Sequence, residues 1–201
     1  MSRICGISCE RLLPMPARNE LMRIAADHHP IISCEGTCEE IIVSRLVESD
    51  ALIFPRDSVI DITRKRKSND IQDEYLKFEY DWPVCIVRVL DSLRERFRLG
   101  TLYAERYPIV NIYTRPEIEM LIIIRENKYN DYIKQKSTLK PSIFCKNNLK
   151  LPYVKSASFL QKYWSDTAEI VEAAIEYRRL THLERGELTL ADIIAADAKR
   201  G

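Results

Sequence analysis

The sequence predicts an α/β fold: a mostly parallel sheet flanked by helices, with a helical C-terminal extension. Three observations lead there. Three apolar, largely β-branched runs, Ile31-Ile32-Ser33-Cys34, Val84 to Leu90 and Ile109 to Thr114, have the length and composition of strands. Segments with helical spacing follow each of them, and strands alternating with helices build a parallel sheet. The final third carries helical patterns in place of further strands. The organisation expected is a lead-in over 1–29, an α/β domain over 30–150 and a helical extension over 151–201.

Composition sets the outer limits. A chain of 201 residues, 46% hydrophobic and 30% charged, can bury one sizeable core. Its formal net charge is +1, so no global basic field points to nucleic acid, although a local basic patch is compatible with that total. No apolar segment approaches the ~20 residues that cross a bilayer. The N-terminal residues lack the apolar run of a signal peptide, and the expected location is the cytoplasm.

The lead-in is broken by Pro14 and Pro16, and residues 17–26 then take on helical character, either packing on the sheet edge or serving as a partner-binding arm. Six cysteines, Cys5, Cys9, Cys34, Cys38, Cys85 and Cys145, are expected to be reduced in a cytoplasmic protein. Two C-x3-C pairs flank His28 and His29, a spacing that admits structural zinc. Against zinc, Cys34 falls in an apolar strand and Cys38 in a helix, where cysteine acts as a small hydrophobe.

The stretch 30–43 organises the rest. Its strand ends in Glu35-Gly36, Gly36 suits a tight turn, and Thr37 can cap a helix carrying Ile42, Val43, Leu46 and Val47. Glu35 at the strand end and Glu39 one turn into the helix converge at the edge where open α/β sheets build their sites. Such hard oxygen ligands suit Mg²⁺. Alone, the same pattern also describes a surface glutamate and a first-turn residue favoured by the helix dipole.

Beyond that helix, residues 51–54 and 58–62 read as extended, and Arg64-Lys65-Arg66-Lys67 is a basic run, either a solvated loop or a phosphate-contacting patch. Residues 71–80 read as helical. The run Val84 to Leu90 is β-branched and apolar with no clear alternation, as in a central strand covered on both faces. It ends in Asp91-Ser92, which could equally cap a helix over 93–99. After the third strand, Pro116 is placed for a first helical position, and Glu117 and Glu119 occupy the expected first turn. Three strands thus each end in acids on one edge.

Those residues resemble the Toprim fold of topoisomerases, primases and the overcoming-lysogenization-defect (OLD) type of nuclease. Cys34-Glu35-Gly36-Thr37-Cys38-Glu39 is similar to the family's first motif, including the second acid of the OLD branch. Asp91 is similar to the first aspartate of the Asp-x-Asp motif, and Arg115 to Leu121 resembles the helix-opening acidic motif of small Toprim-like proteins in bacterial defence loci. The likeness covers about residues 30–150. It departs from the family at Leu93, where the second aspartate is replaced by a side chain that cannot bind metal; Glu95 is the nearest substitute.

The resemblance implies a Mg²⁺- or Mn²⁺-dependent nuclease of DNA or RNA. Glu35, Asp91 and Glu119 would be catalytic metal ligands, assisted by Glu39 and Glu117. It also implies a transition-state lysine, with Lys140 the first candidate and Lys155 the second, and an antiviral effector controlled by a partner ATPase, often as a homodimer. The rival expectation is a non-catalytic module that binds nucleic acid or a partner protein.

In the C-terminal third, residues 132–142 interleave Lys134, Lys136 and Lys140 with hydroxyls and Tyr132, fitting a nucleic-acid backbone or a polar loop. The nucleic-acid contacts expected are therefore Arg64, Lys65, Arg66, Lys67, Lys134, Lys136 and Lys155. Helices are expected over 154–164, 167–183 and 189–198, the last opening on a capping signal. His182 stands alone, and with five glycines and no Gly-rich loop the chain offers no nucleotide-hydrolysis motif.

Overall fold

The computed structural model describes residues 15–199 apart from 94 and 185. The chain enters on helix α1 (Met15–Asp27), whose Leu21, Ile24 and Ala25 sink into the main core. Strand β1 (His29–Cys34) and helix α2 (Thr37–Glu48) follow, joined by the two-residue turn that the glutamate-glycine pair predicts. Gly36, not Thr37, is the residue that caps α2, and no side chain bonds to its first N–H groups. The Thr37 hydroxyl instead accepts from Arg64 Nη1 at 3.2 Å.

Strand β2 (Asp61–Thr63) is shorter than the extended pattern suggests. Residues 51–54 form no strand of the main sheet; Leu52 makes an isolated antiparallel bridge to Ile194, and Ile53 N–H donates to Ile193. Helix α3 (Ser68–Ile71) runs into a wider turn over Gln72–Leu76, so the helical stretch starts and stops earlier than expected. Strand β3 (Val84–Leu90) coincides with its sequence pattern, and all seven residues are buried.

The helix expected over 93–99 does not form. That segment is drawn into tertiary contacts: Phe97 lies under the Arg88 guanidinium at 4.1 Å, and Glu95 is held by two arginines. After a short helix α4 (Thr101–Ala104) comes strand β4 (Ile109–Tyr113). The next helix also starts later than Pro116 suggests. Arg115–Pro116 is cis, Glu117 accepts from Ser142 N–H, and α5 (Met120–Arg125) begins only after Glu119, its capping residue.

The sheet has four strands, all parallel, in the order β2-β1-β3-β4. This is the α/β architecture the sequence predicts, and it is consistent with a Toprim-like fold. Alternation along the strands gives it two faces. Ile32, Cys34, Cys85, Val87, Val89, Val110 and Ile112 face the larger core, with α2 and α5; Ile31, Val84 and Ile86 face a smaller one with Ile71, Tyr75 and Tyr107. Helices on both faces of a parallel sheet account for the unbroken apolar character of β3.

The remaining helices are α6 (Tyr129–Ile133), α7 (Pro141–Asn147), α8 (Ala157–Tyr163), α9 (Thr167–Leu180) and α10 (Leu190–Ile193). Helix α5 is buried at five successive positions and packs against α9, so the C-terminal helices share the main core. Ser156 and Asp166 cap α8 and α9 with side-chain bonds, and Thr189 with Asp192 forms the capping box expected at α10. The last three helices are each shorter than their periodicity. No helix among the described residues is long and apolar enough to cross a membrane.

Ile32 sits in the central pair of strands with no exposed surface. Ile32→Ala should cost about 2–5 kcal/mol of unfolding free energy, read by urea denaturation. Ile109→Ala, at a residue 37% exposed, should cost under about 1 kcal/mol.

Candidate acidic site at the carboxyl edge of the sheet

Strand order fixes where the acids meet. The chain lays β2 on one side of β1 and then β3 on the other, so the crevice between the carboxyl ends of β1 and β3 is the topological switch point of the sheet. Register holds the two ends level: Cys34 pairs with Val89, and Glu35 N–H donates to Val89 O at 3.1 Å. Glu35 Oε2 then accepts the Asp91 N–H at 2.9 Å. The two carboxylates therefore abut, and burial together with the hydrogen bond and charge of Glu35 pushes Asp91 up to about 6, against the opposing pull of Arg66.

Glu39, in the first turn of α2, is 6% exposed. Burial is the main cause that pushes its carboxyl up to about 7, with the charges of Glu119, Asp91 and Glu35 adding to it. An added Cβ at Gly36 would lie 3.1 Å from Glu39 Oε2, so the glycine leaves room for this side chain. Glu119 is 3% exposed and is likewise raised by burial, while Lys155 opposes the shift. Lys155 Nζ lies 3.5 Å from Glu119 and 3.8 Å from Glu117. Cys38 and Cys145 line the same region as buried thiols whose ionisation is suppressed by burial and by these acids.

Glu35, Glu39, Asp91, Glu117 and Glu119 thus share one electrostatic neighbourhood. Among the described residues, no three His, Cys, Asp or Glu side chains are gathered closely enough to hold a metal ion by themselves. Mg²⁺ commonly binds through one or two carboxylates, keeps several waters and takes substrate phosphate as a further ligand, so the donor set fits that ion.

The basic run lies beside the acids. Arg64 Nε pairs with Glu40 at 3.3 Å, Lys65 pairs with Glu74, and Arg66 Nη2 lies 2.7 Å from Glu35 Oε1. With Glu35, Gly36, Thr37, Glu40, Ile62 and Thr63, Arg64 and Lys65 line an open cleft of about 610 Å³. Lys67 is exposed at the start of α3.

Of the two lysine candidates, Lys155 stands at the acids. Lys140 is an exposed capping residue of α7, and no ion pair joins it to them among the described residues. Lys134 and Lys136 are exposed, and Lys134 pairs with Asp131. Glu95, the substitute ligand that the resemblance suggests, faces two arginines. It is committed to Arg88 at 2.7 Å and Arg66 at 3.2 Å.

Sequence reasoning did not single out Arg88. It is 2% exposed, faces Asn111 Oδ1 at 3.5 Å and sits in register with Ser33 and Asn111, making a polar row across the lesser face of the sheet. Its signal was available: one arginine inside an otherwise apolar strand. Of the zinc pattern, Cys5 and Cys9 lie outside the described residues. Cys34 and Cys38 are buried, and His29 stacks on Trp82.

No family model, curated protein or solved structure matches this chain.

The raised carboxyls give a pH signature. Glu39 loses its proton near 4.5 when unfolded and near 7 when folded. Its contribution is therefore fully present below about pH 4.5 and is lost as pH rises through 7, by up to about 3 kcal/mol. Glu39→Gln should accordingly gain stability relative to wild type between pH 4.5 and 7, read by urea unfolding across that range. A constant difference between the two curves would contradict the assignment.

Proposed function

We propose that this chain is a metal-dependent nuclease of the Toprim-like, OLD-type class, hydrolysing phosphodiester bonds of DNA or RNA. The observation that supports it most is the abutting Glu35–Asp91 pair at the β1/β3 switch point, with Glu39 and Glu119 buried alongside. Asp91, Glu39 and Glu119, pushed upward mainly by burial and further by neighbouring carboxylates, belong to a site that would gain stability from a divalent cation.

In this reading Glu35 and Asp91 are the principal Mg²⁺ or Mn²⁺ ligands, and Glu39, Glu117 and Glu119 supply further negative charge. A bound metal supplies water activation and polarisation of the scissile phosphate. Lys155, held above its usual value because Glu119 and Glu117 outweigh the effect of burial, keeps a positive charge beside the acids. That charge is suited to an oxygen gaining negative charge during phosphoryl transfer. Arg64 and Lys65 at the cleft are suited to nucleic-acid phosphates. Control by a partner ATPase, a role in antiviral defence and homodimerisation follow from the family resemblance alone.

A second reading, a non-catalytic module for nucleic acid or a protein partner, is favoured by Leu93 in place of the second aspartate and by the commitment of Glu95 to Arg88. Metal dependence separates the two. Mn²⁺ or Mg²⁺ should raise the melting temperature of wild type and not of Glu35→Ala. On DNA and RNA substrates, Glu35→Ala should lower cleavage at least about a hundredfold. Nucleic-acid binding that persists in a chelator, with no cleavage under either metal, would support the module instead.

A further inference from the structure

Arg66, in the middle of the basic run, is paired with two carboxylates. Its Nη2 lies 2.7 Å from Glu35 Oε1 and its Nε 3.2 Å from Glu95 Oε1. Glu95 has a second arginine, since Arg88 Nη2 takes the other carboxylate oxygen at 2.7 Å. The two arginines differ in freedom: the Arg66 side chain is 40% exposed, and that of Arg88 is 2% exposed. If Arg66 swings away, Glu95 keeps its buried partner, and Glu35 keeps its Oε2 contact with the Asp91 N–H. The oxygen released is Glu35 Oε1, on the carboxylate assigned above to the metal.

We propose that Arg66 is a phosphate-binding residue parked on Glu35 in the free protein, so that a nucleic-acid phosphodiester and a divalent cation bind cooperatively. This rests on the metal-site reading of Glu35 and Asp91. A guanidinium presents a planar fork that matches phosphate oxygens, and it exchanges one anionic partner for another without leaving a charge unpaired. The cation then replaces Arg66 at Glu35 while the phosphodiester replaces Glu35 at Arg66. Because both ligands favour the same parted arrangement, each raises the affinity for the other by the same factor. Arg66 stands between Lys65, which lines the adjoining cleft, and Lys67, so the strand it would grip runs past the acids.

The test measures Mn²⁺ affinity by electron paramagnetic resonance of the free ion, with and without a thymidine tetranucleotide. Wild type, Arg66→Gln, Arg66→Lys and Glu35→Gln are compared, each first checked for a cooperative thermal transition. Without the oligonucleotide, Arg66→Gln should bind Mn²⁺ about fivefold more tightly than wild type, the effect of deleting one partly exposed ion pair. Arg66→Lys should stay near wild type, and adding the oligonucleotide should tighten wild type more than Arg66→Gln. Equal Mn²⁺ affinity in wild type and Arg66→Gln, with Glu35→Gln weakened, would overturn the role of Arg66 and leave the metal site standing. Absence of Mn²⁺ binding in all four proteins, with or without oligonucleotide, would overturn the metal site and this proposal together.

Discussion

The parallel pairing of β1 with β3 is the constraint on which the rest depends. Six residue pairs in register, from His29 opposite Val84 to Cys34 opposite Val89, bring the two strands to the same level at their carboxyl ends. A shift of one residue would turn Ile32 and Cys34 out of the larger core and set Glu35 away from the Asp91 N–H. Packing and site geometry are therefore enforced by the same ladder. The apolar energy that fixes the register also holds two carboxylates together that would otherwise separate.

That enforcement has an electrostatic cost, visible in how the surrounding cations are distributed. Arg66 takes Glu35, Lys155 takes Glu119 and Glu117, and Arg64 takes Glu40. Glu39 has no ion pair of its own among the described residues, and burial, with the charges of Glu119, Asp91 and Glu35, pushes it up to about 7. The Arg66 and Lys155 side chains are 40% and 56% exposed, so their charges are screened by water and are replaceable. The Arg88–Glu95 pair is different. One partner is fully enclosed, and removing Glu95 would leave a buried guanidinium without its carboxylate. The edge of the sheet thus combines the fixed Arg88–Glu95 pair with exchangeable ones at Arg66 and Lys155.

The legible part of the fold was that governed by continuous burial. β3 and α2 were readable because β-branched runs and helical spacing report how many faces an element buries. The segments after β3 and β4 were not. Asp91-Ser92 and Pro116-Glu117 both carry local signals for helix starts, and both are overridden by contacts distant in sequence, through Glu95 with Arg88 and Arg66 and through Glu117 with Ser142. The same limit applies to the site. That Glu35, Glu39 and Asp91 are neighbours was readable because strand ends on one edge of a parallel sheet lie side by side whatever the details. That Arg66 lies on Glu35, and that Lys155 and not Lys140 reaches the acids, depends on loop paths that no periodicity encodes.

Those loop paths also explain why the C-terminal third belongs with the acidic edge. Leu188 bridges Ile112 and accepts from Tyr113 N–H, which covers the open side of β4. Arg115, just after β4, pairs with Glu187 at 2.6 Å, and its carbonyl accepts from the Tyr177 hydroxyl at 2.7 Å. Helix α9 packs on α5 and so orients the turn that presents Glu119, and the segment leading into α8 delivers Lys155. Removing these helices would expose the edge of β4 to unpaired strand contacts. It would also release the turn 115–119 and take away the cation beside Glu119. The acidic edge is therefore assembled by the whole chain: β1 and β3 bring Glu35 to Asp91, and the C-terminal helices hold Glu117 and Glu119 against the cation they supply.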